Sequence, residues 1–159
     1  MDNKNDITKH IKLLASNMRN AIELLPKSLL GTGMEHFPRG ACGDASLLLG
    51  AYLADSGYKN FEYVCGERGS KNDDTWTSHA WLTSGNLIVD ITADQFGDAP
   101  SGIIVSNNSP WHNQFRVESS YGNEISDFRL WTGGGIPQLH RIYEVIQPSL
   151  QMLDISNYS

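Results

Sequence analysis

The stretch FPRGACGDASLLLGAYL, residues 37–53, decides how we interpret this chain. One proline and two glycines surround a single cysteine, Cys42, and a strongly apolar segment follows at once. This pattern predicts a helix that begins beside the cysteine and is buried on more than one side. Unpaired N–H groups and the positive end of the helix dipole favour a thiolate at such a position. We therefore expect Cys42 to lie at the N-terminus of a buried helix.

Composition indicates an ordinary globular protein. The 159 residues suit one domain, 1–159, with a core of its own. Hydrophobic residues make up 40% and charged residues 19% of the chain, as in folded domains rather than disordered ones. The net charge of −6, without a cluster of Lys and Arg, argues against a nucleic-acid partner and against a basic membrane-surface helix.

The two cysteines and the N-terminus bear on the compartment. The first residues are polar and lack the apolar centre of a signal peptide, and no apolar run reaches transmembrane length. A disulfide between Cys42 and Cys65 would be unusual in a chain without an export signal. We expect a soluble cytoplasmic protein without a membrane partner, and secretion as an effector stays open.

Three helices follow from apolar spacing and breaker residues. The first is predicted from Asp6 to about Leu25 and the second, after Cys42, from about Gly43 to Asp55. A third is predicted from Pro137 to about Val145, ending before Pro148. The glycines at 133–135 suggest a flexible joint before it.

The middle of the chain predicts strands. Residues 61–66 are rich in β-branched and aromatic side chains and predict a strand. Two short strands, 79–82 and 87–91, follow and form a predicted antiparallel hairpin. Weaker strand signals cover 102–105 and 115–117. Helices and strands in separate parts of the chain indicate the α+β class.

Three residue types form a candidate catalytic constellation. Cys42 begins a helix, His79 opens one strand of the hairpin and Asp90 lies on the other. Paired antiparallel strands bring such side chains together. A carboxylate beside an imidazole stabilises its charged form, and an imidazolium beside a thiol stabilises the thiolate. The thiolate can then attack a carbonyl carbon while His79 protonates the leaving group.

These motifs resemble a known superfamily. The blocks Arg39-Gly40-Ala41-Cys42, Ser78-His79-Ala80-Trp81-Leu82 and Leu87-Ile88-Val89-Asp90 look like the core of the transglutaminase-like branch of the papain-like cysteine enzymes. That resemblance covers residues 37–96. It implies a catalytic Cys at a buried helix N-terminus packed on an antiparallel sheet, with Cys42, His79 and Asp90 as catalytic triad.

A second resemblance is more distant. Arylamine N-acetyltransferases have an Arg-Gly-Gly-x-Cys motif and a Val-Asp after the histidine strand. This chain has Ala41 within the corresponding motif and is short for that family. Acetylation of Cys42 by acetyl-coenzyme A stays open as an alternative despite these two differences. The papain-like, transglutaminase-like resemblance implies no cofactor.

Other residues near the motifs are candidates for holding the substrate or its oxyanion. They are Gln95, in the segment after Asp90, Gly43, next to the nucleophile, and His36, before it. Asp44 argues against a thiolate, because a carboxylate directed at the sulfur would raise the pKa of the thiol. We expect its side chain to point away, to cap the helix or to pair with Arg39.

The remaining chemistry-bearing residues have simpler interpretations. Cys65 and Trp81 are expected to pack in the interior. Three aromatic residues suit either a substrate groove or the core: Trp111, Tyr121 and Trp131. The cysteines, His79 and His112 show no metal-ligand spacing, so we expect no metal site.

The sequence therefore predicts a thiol-dependent acyl-transfer enzyme. We favour a cysteine hydrolase (peptidase, amidase or glutamine deamidase) that acts on a protein or peptide with an amide carbonyl. A transglutaminase or acyltransferase with an amine acceptor is the alternative, as is a catalytically silent binding module on the same fold. If the protein is an effector, its partner would be a target protein.

Overall fold

A computed structural model describes residues 3–118, 126–131 and 136–156. Its four helices are α1 Asn3–Leu24, α2 Lys27–Leu30, α3 Cys42–Asp55 and α4 Pro137–Ser156. Its five strands are β1 Glu62–Arg68, β2 Thr77–Ser84, β3 Leu87–Asp90, β4 Ile104–Ser106 and β5 Arg116–Val117. Tyr121 and the glycines at 133–135 lie outside the described residues.

The strands form one antiparallel sheet in the order β4-β3-β2-β1-β5. The predicted hairpin is present: Ser84 pairs with Leu87, so Gly85 and Asn86 make a two-residue turn. Gly85 has φ +58°, a left-handed conformation that a residue without a β-carbon adopts without strain. Helices and an antiparallel sheet in separate parts of the chain confirm the α+β class.

Helix α3 is the centre of the core. Every residue from Ala45 to Leu53 is buried, because α3 packs against β2, α1 and α4. Gly50 allows a very close approach to the segment 126–131. A β-carbon at position 50 would lie 2.3 Å from the Ser126 carbonyl oxygen. The apolar character of residues 45–53 all round the helix is explained by these contacts on several sides.

The opposite face of the sheet carries a smaller apolar cluster. Its buried members are Trp81, Ala93, Ile104, Trp111 and Phe115. Strand β2 is buried on both faces from His79 to Leu82, since Leu82 joins the main core and Trp81 joins this second cluster. The expected interior position of Trp81 is confirmed, and Trp111, for which either a substrate groove or the core was open, lies in this buried cluster.

Helix α4 corrects one prediction. It continues through Pro148 to Ser156, whereas the sequence predicted an end near Val145. Proline removes one N–H donor from the helix but leaves the residues around it free to pack. Ile146 and Leu150, on either side of Pro148, are both buried in the main core, so tertiary packing maintains the helix.

Several boundaries also differ from prediction. Strand β1 extends to Arg68, past the predicted end at 66, and β2 begins at Thr77, before the predicted start at 79. One 3-10 turn, Lys71–Asp73, lies between them. Helix α1 begins at Asn3, before the predicted start at Asp6. No helix in the described parts of the chain is long and apolar enough to cross a membrane.

Candidate active site

His79 and Asp90 meet across the β2–β3 hairpin. His79 Nε2 lies 2.6 Å from Asp90 Oδ2, and the side chains are 0% and 1% exposed. The Asp90 carboxylate also accepts a hydrogen bond from the Thr92 backbone N–H at 2.9 Å. Burial raises the pKa of Asp90, but hydrogen bonds from His112 and His79 outweigh burial and hold that pKa below its ordinary value.

Cys42 is the third member of this group. It is the first residue of α3 and is partly exposed. Burial raises the pKa of the Cys42 thiol, but hydrogen bonding and charge attraction from His79 outweigh burial and lower it. The Ala80 backbone and the Gln95 side chain lower it further through hydrogen bonds. The structure therefore brings together Cys42, His79 and Asp90.

The pKa of His79 responds in the opposite direction. Burial lowers it, yet the hydrogen bonds to Asp90 and Cys42 and the charges of both raise it to about 9. An ionised carboxylate can only accept hydrogen bonds, so His79 Nε2 carries a proton. The other ring nitrogen, Nδ1, is the one that can exchange a proton with the Cys42 thiol. A lowered thiol pKa beside a raised imidazole pKa favours a thiolate–imidazolium pair at neutral pH.

Gln95 lies at the same point. Its Nε2 is 3.1 Å from His79 Nδ1 and 3.3 Å from the Thr92 carbonyl oxygen. Its Oε1 accepts a hydrogen bond from the Gly40 N–H at 3.3 Å, which fixes the amide orientation. Gln95 therefore joins the segment before Cys42 to the segment after Asp90.

Arg19 on α1 fixes the turn that carries Gln95. Its guanidinium donates to the Ile91 carbonyl oxygen at 2.7 Å and forms two hydrogen bonds with the Asp94 carboxylate, at 2.7 and 2.8 Å. Such bidentate contacts restrict both partners. The turn at residues 93–95 is thus attached to the helical layer.

Backbone donors are present at the start of α3. The first helical hydrogen bond of this region runs from Ala45 N to Ala41 O, so the preceding N–H groups of Cys42, Gly43 and Asp44 have no partner within the helix. Gly43 also lies close to Tyr63: a β-carbon at Gly43 would be 3.2 Å from the Tyr63 hydroxyl oxygen. Gly43 follows the nucleophile directly and carries an N–H without a helical partner.

His36 is not brought to this group. Its side chain is 76% exposed, and its Nε2 lies 3.6 Å from Glu35 Oε1. Within the described ranges it has no hydrogen bond to Cys42 or His79. The predicted contribution of His36 to the oxyanion site therefore has no geometric support.

Asp44 is directed at the loop before the nucleophile. A β-carbon added at Gly33 would lie 2.7 Å from Asp44 Oδ2. Burial raises the pKa of this carboxyl group. The expected ion pair with Arg39 does not form among residues 3–118, where Arg39 is exposed, and the N-cap of α3 is Ala41. The side chain points toward Gly33, but the predicted partners are wrong.

His112 is the residue that sequence reasoning missed. Its Nε2 lies 2.8 Å from the same Asp90 Oδ2 that His79 contacts, and its Nδ1 lies 2.6 Å from Ser109 Oγ. It occupies a 3-10 turn, His112–Gln114, between β4 and β5. No spacing rule links it to Asp90, because the contact depends on how the chain returns after β4.

An aromatic shell surrounds the histidines. Ring centroids of Trp81, Phe96, Trp111 and Phe115 lie 5.1–5.8 Å from that of His79. These rings help to exclude water from the imidazole, whose side chain is 0% exposed. Low polarity around a charge pair strengthens its attraction.

Cys65 is a free thiol on β1. Burial raises its pKa, and the charges of Cys42, Glu118 and Glu67 raise it further. It is partly exposed, so the predicted packing role is only partly met. The two cysteines thus differ in the direction of their pKa shifts.

One group in the described residues has the spacing of a metal site. Ring nitrogens of His79 and His112 and a carboxylate oxygen of Asp90 all lie within 4.8 Å of one another. In the structure these atoms hydrogen-bond to each other, so an ion would have to replace both imidazole–carboxylate contacts. The expectation that the protein uses no metal stays a prediction.

Comparison with known proteins found no matching family model, no significant match among curated proteins and no significant match among solved structures.

Proposed function

We propose that the protein is a thiol-dependent acyl-transfer enzyme of the papain-like, transglutaminase-like type, and that hydrolysis is its reaction. Cys42 is the nucleophile, His79 the general acid and base, and Asp90 the residue that orients and charges His79. The observation that carries this proposal is the convergence of a partly exposed thiol, its lowered pKa and a buried His79–Asp90 pair at 2.6 Å.

The first half-reaction forms an acyl-enzyme. The Cys42 thiolate adds to the carbonyl carbon of an amide, and the carbonyl oxygen takes the negative charge. The His79 Nδ1 proton passes to the amide nitrogen as the C–N bond breaks, and the amine leaves. His79 is then neutral, and the acyl group is held as a thioester on Cys42.

The second half-reaction regenerates the thiol. Neutral His79 takes a proton from water, and the resulting hydroxide adds to the thioester carbonyl. The C–S bond breaks, the carboxylic acid leaves, and the thiolate–imidazolium pair forms again. Asp90 stays ionised throughout and holds the Nε2 proton of the ring, as the short contact requires.

Gln95 and the start of α3 supply the oxyanion site in this mechanism. The Gln95 amide lies within 3.1 Å of the reacting ring nitrogen, and the N–H groups of Cys42 and Gly43 lack helical partners. Such donors stabilise the charge that develops on the carbonyl oxygen. When His79 is protonated, Gln95 Nε2 can no longer donate to Nδ1 and is available for that oxygen.

An activated acetyl ester tests the proposal. p-Nitrophenyl acetate transfers acetyl to reactive thiols, and intact-mass spectrometry with peptide mapping locates it. We expect acetylation at Cys42, loss of the label over time in water, and neither event in Cys42→Ser. The variant Cys65→Ser is the matched control and should behave as wild type. Acetylation no faster at Cys42 than at Cys65 would overturn the proposal.

The same experiment separates the alternatives. Faster loss of the acetyl group when a primary amine is added, with amide product, would favour the transferase alternative. A biological activity that survives in Cys42→Ala would favour the binding module. Labelling by acetyl-coenzyme A in place of the ester would support the acetyltransferase alternative.

A further inference from the structure

We propose that His112 is a positioning residue of the Cys42 site. Ser109 holds His112, and His112 shares the Asp90 carboxylate with His79. This sharing sets the pH above which the His79 ring loses its positive charge. This inference rests on the proposed function, because it concerns the same histidine and the same carboxylate. It adds a second histidine to a nucleophile–base–acid group that already has three members.

The two histidines compete for one oxygen atom. His79 Nε2 and His112 Nε2 lie 2.6 and 2.8 Å from Asp90 Oδ2, and Oδ1 of the same carboxylate accepts from the Thr92 N–H at 2.9 Å. Asp90 is 1% exposed, so water does not replace any of these donors. Its negative charge is therefore divided among three hydrogen bonds.

Asp90 and Ser109 contact the two ring nitrogens of His112. Because Asp90 is an acceptor only, His112 Nε2 must carry a proton. Ser109 Oγ lies 2.6 Å from His112 Nδ1 and accepts from the His112 backbone N–H at 3.4 Å. The serine hydroxyl therefore pairs with Nδ1, so both ring nitrogens of His112 are hydrogen-bonded.

Packing leaves the His112 ring little freedom. Its side chain is 1% exposed, and the rings of Trp81 and Trp111 meet it edge to face with centroids at 4.9 and 4.8 Å. The side chain is therefore shielded from bulk water. Its contact with Asp90 is thus a fixed feature of the site.

The chemical consequence concerns the strength of Asp90 as an acceptor. A carboxylate that accepts a second N–H hydrogen bond is a weaker acceptor for the first one. It therefore stabilises the imidazolium that donates the first hydrogen bond less. With His112 in place, Asp90 and Cys42 raise the pKa of His79 to about 9 against burial. Without the His112 donor, Asp90 would hold the His79 proton more firmly.

The other ionisable groups around His79 leave this assignment intact. Cys42, on α3, has a lowered pKa because of the same hydrogen bond and charge attraction to His79. Arg68, on β1, lies over the rings of Phe96 and Phe115 and is paired with Asp98 at 2.8 Å. That ion pair contributes little net charge at the histidines.

The test is a pH titration of the His79 ring nitrogens by NMR, with isotope-labelled histidine and with the His79 signals assigned from a His79→Gln variant. His112→Leu removes the donor, and His112→Gln keeps an N–H that can reach Asp90. We expect His112→Leu to move the His79 midpoint upward by about 0.5–1 pH unit. We expect His112→Gln to keep the wild-type midpoint.

Ser109→Ala is a second variant in case the leucine variant fails to fold. It leaves the imidazole in place but removes the hydrogen bond at Nδ1 that holds the ring, so a smaller upward shift is expected. An unchanged or lowered His79 midpoint in the folded variants would overturn the inference, as would equal shifts in the leucine and glutamine variants. A normal His79 midpoint in the wild type would instead contradict the proposed function.

Discussion

The side chains of His79 and Asp90 meet at 2.6 Å across the β2–β3 hairpin, and neither is accessible to solvent. A buried carboxylate at this distance stabilises the charged imidazole, and the charged imidazole stabilises the Cys42 thiolate. The reactivity of the cysteine therefore depends on a residue that it does not itself contact.

Replacement of Asp90 by Asn should make Cys42 less reactive. The neutral amide no longer supports a charged His79, so the His79 pKa falls and the Cys42 pKa rises. We expect alkylation of Cys42 at pH 6 to slow by about tenfold or more, the effect of one pKa unit. Asp74→Asn, at an exposed turn residue, is the control and should alkylate at the wild-type rate. Equal rates in Asp90→Asn and wild type would contradict the role of Asp90.

Replacement of His79 by Gln should raise the pKa of Cys42 above that of an ordinary thiol. The attraction that lowers the Cys42 pKa is then lost, while the burial that raises it remains. Absorbance of the thiolate in the ultraviolet, followed against pH, measures the shift. His36→Gln changes an exposed histidine and should leave the Cys42 titration as in wild type. A Cys42 titration that His79→Gln leaves unchanged would refute the ion pair.

Gln95→Ala should slow acylation more than it weakens substrate binding. An oxyanion donor acts in the transition state, so kcat should fall by about 10–1000-fold with little change in KM. The measurement is steady-state hydrolysis of an activated ester. Gln151→Ala, at an exposed position on α4, should keep the wild-type kcat. A rise in KM alone would show that Gln95 binds substrate without stabilising the oxyanion.

Gly50→Ala should destabilise the fold from a position on α3 outside the candidate site. The new β-carbon would lie 2.3 Å from the Ser126 carbonyl oxygen, so α3 or that segment must move. We expect the free energy of unfolding in urea to fall by about 1–3 kcal/mol. Gly97→Ala adds a β-carbon with no neighbour within 4 Å and should have little effect. Similar stabilities of the two variants would contradict the close packing at Gly50.

Local sequence signals were sufficient to predict the hairpin and the start of the central helix. The two short apolar segments 79–82 and 87–91, joined by a short polar link, predict an antiparallel hairpin and so the proximity of His79 to Asp90. The apolar run after Cys42 predicts a buried helix because so many of its faces are apolar. Both features depend on residues close together in the chain.

Contacts between distant segments could not be predicted in the same way. His112 reaches Asp90 only after the chain has formed β4 and returned, and no periodic pattern records that path. The continuation of α4 through Pro148 depends on a core surface for Ile146 and Leu150, which the local sequence does not describe. Gln95 was a candidate from its position alone, and its orientation depends on the Gly40 backbone.

The most direct test of the central claim is alkylation of the native protein by iodoacetamide across a range of pH, with each cysteine followed by mass spectrometry. The structure lowers the pKa of Cys42 and raises that of Cys65. We therefore predict that Cys42 reacts with a midpoint well below the value of about 8.5 for a free thiol, and that Cys65 reacts only at higher pH. A Cys42 midpoint at or above that of a free thiol would contradict the account.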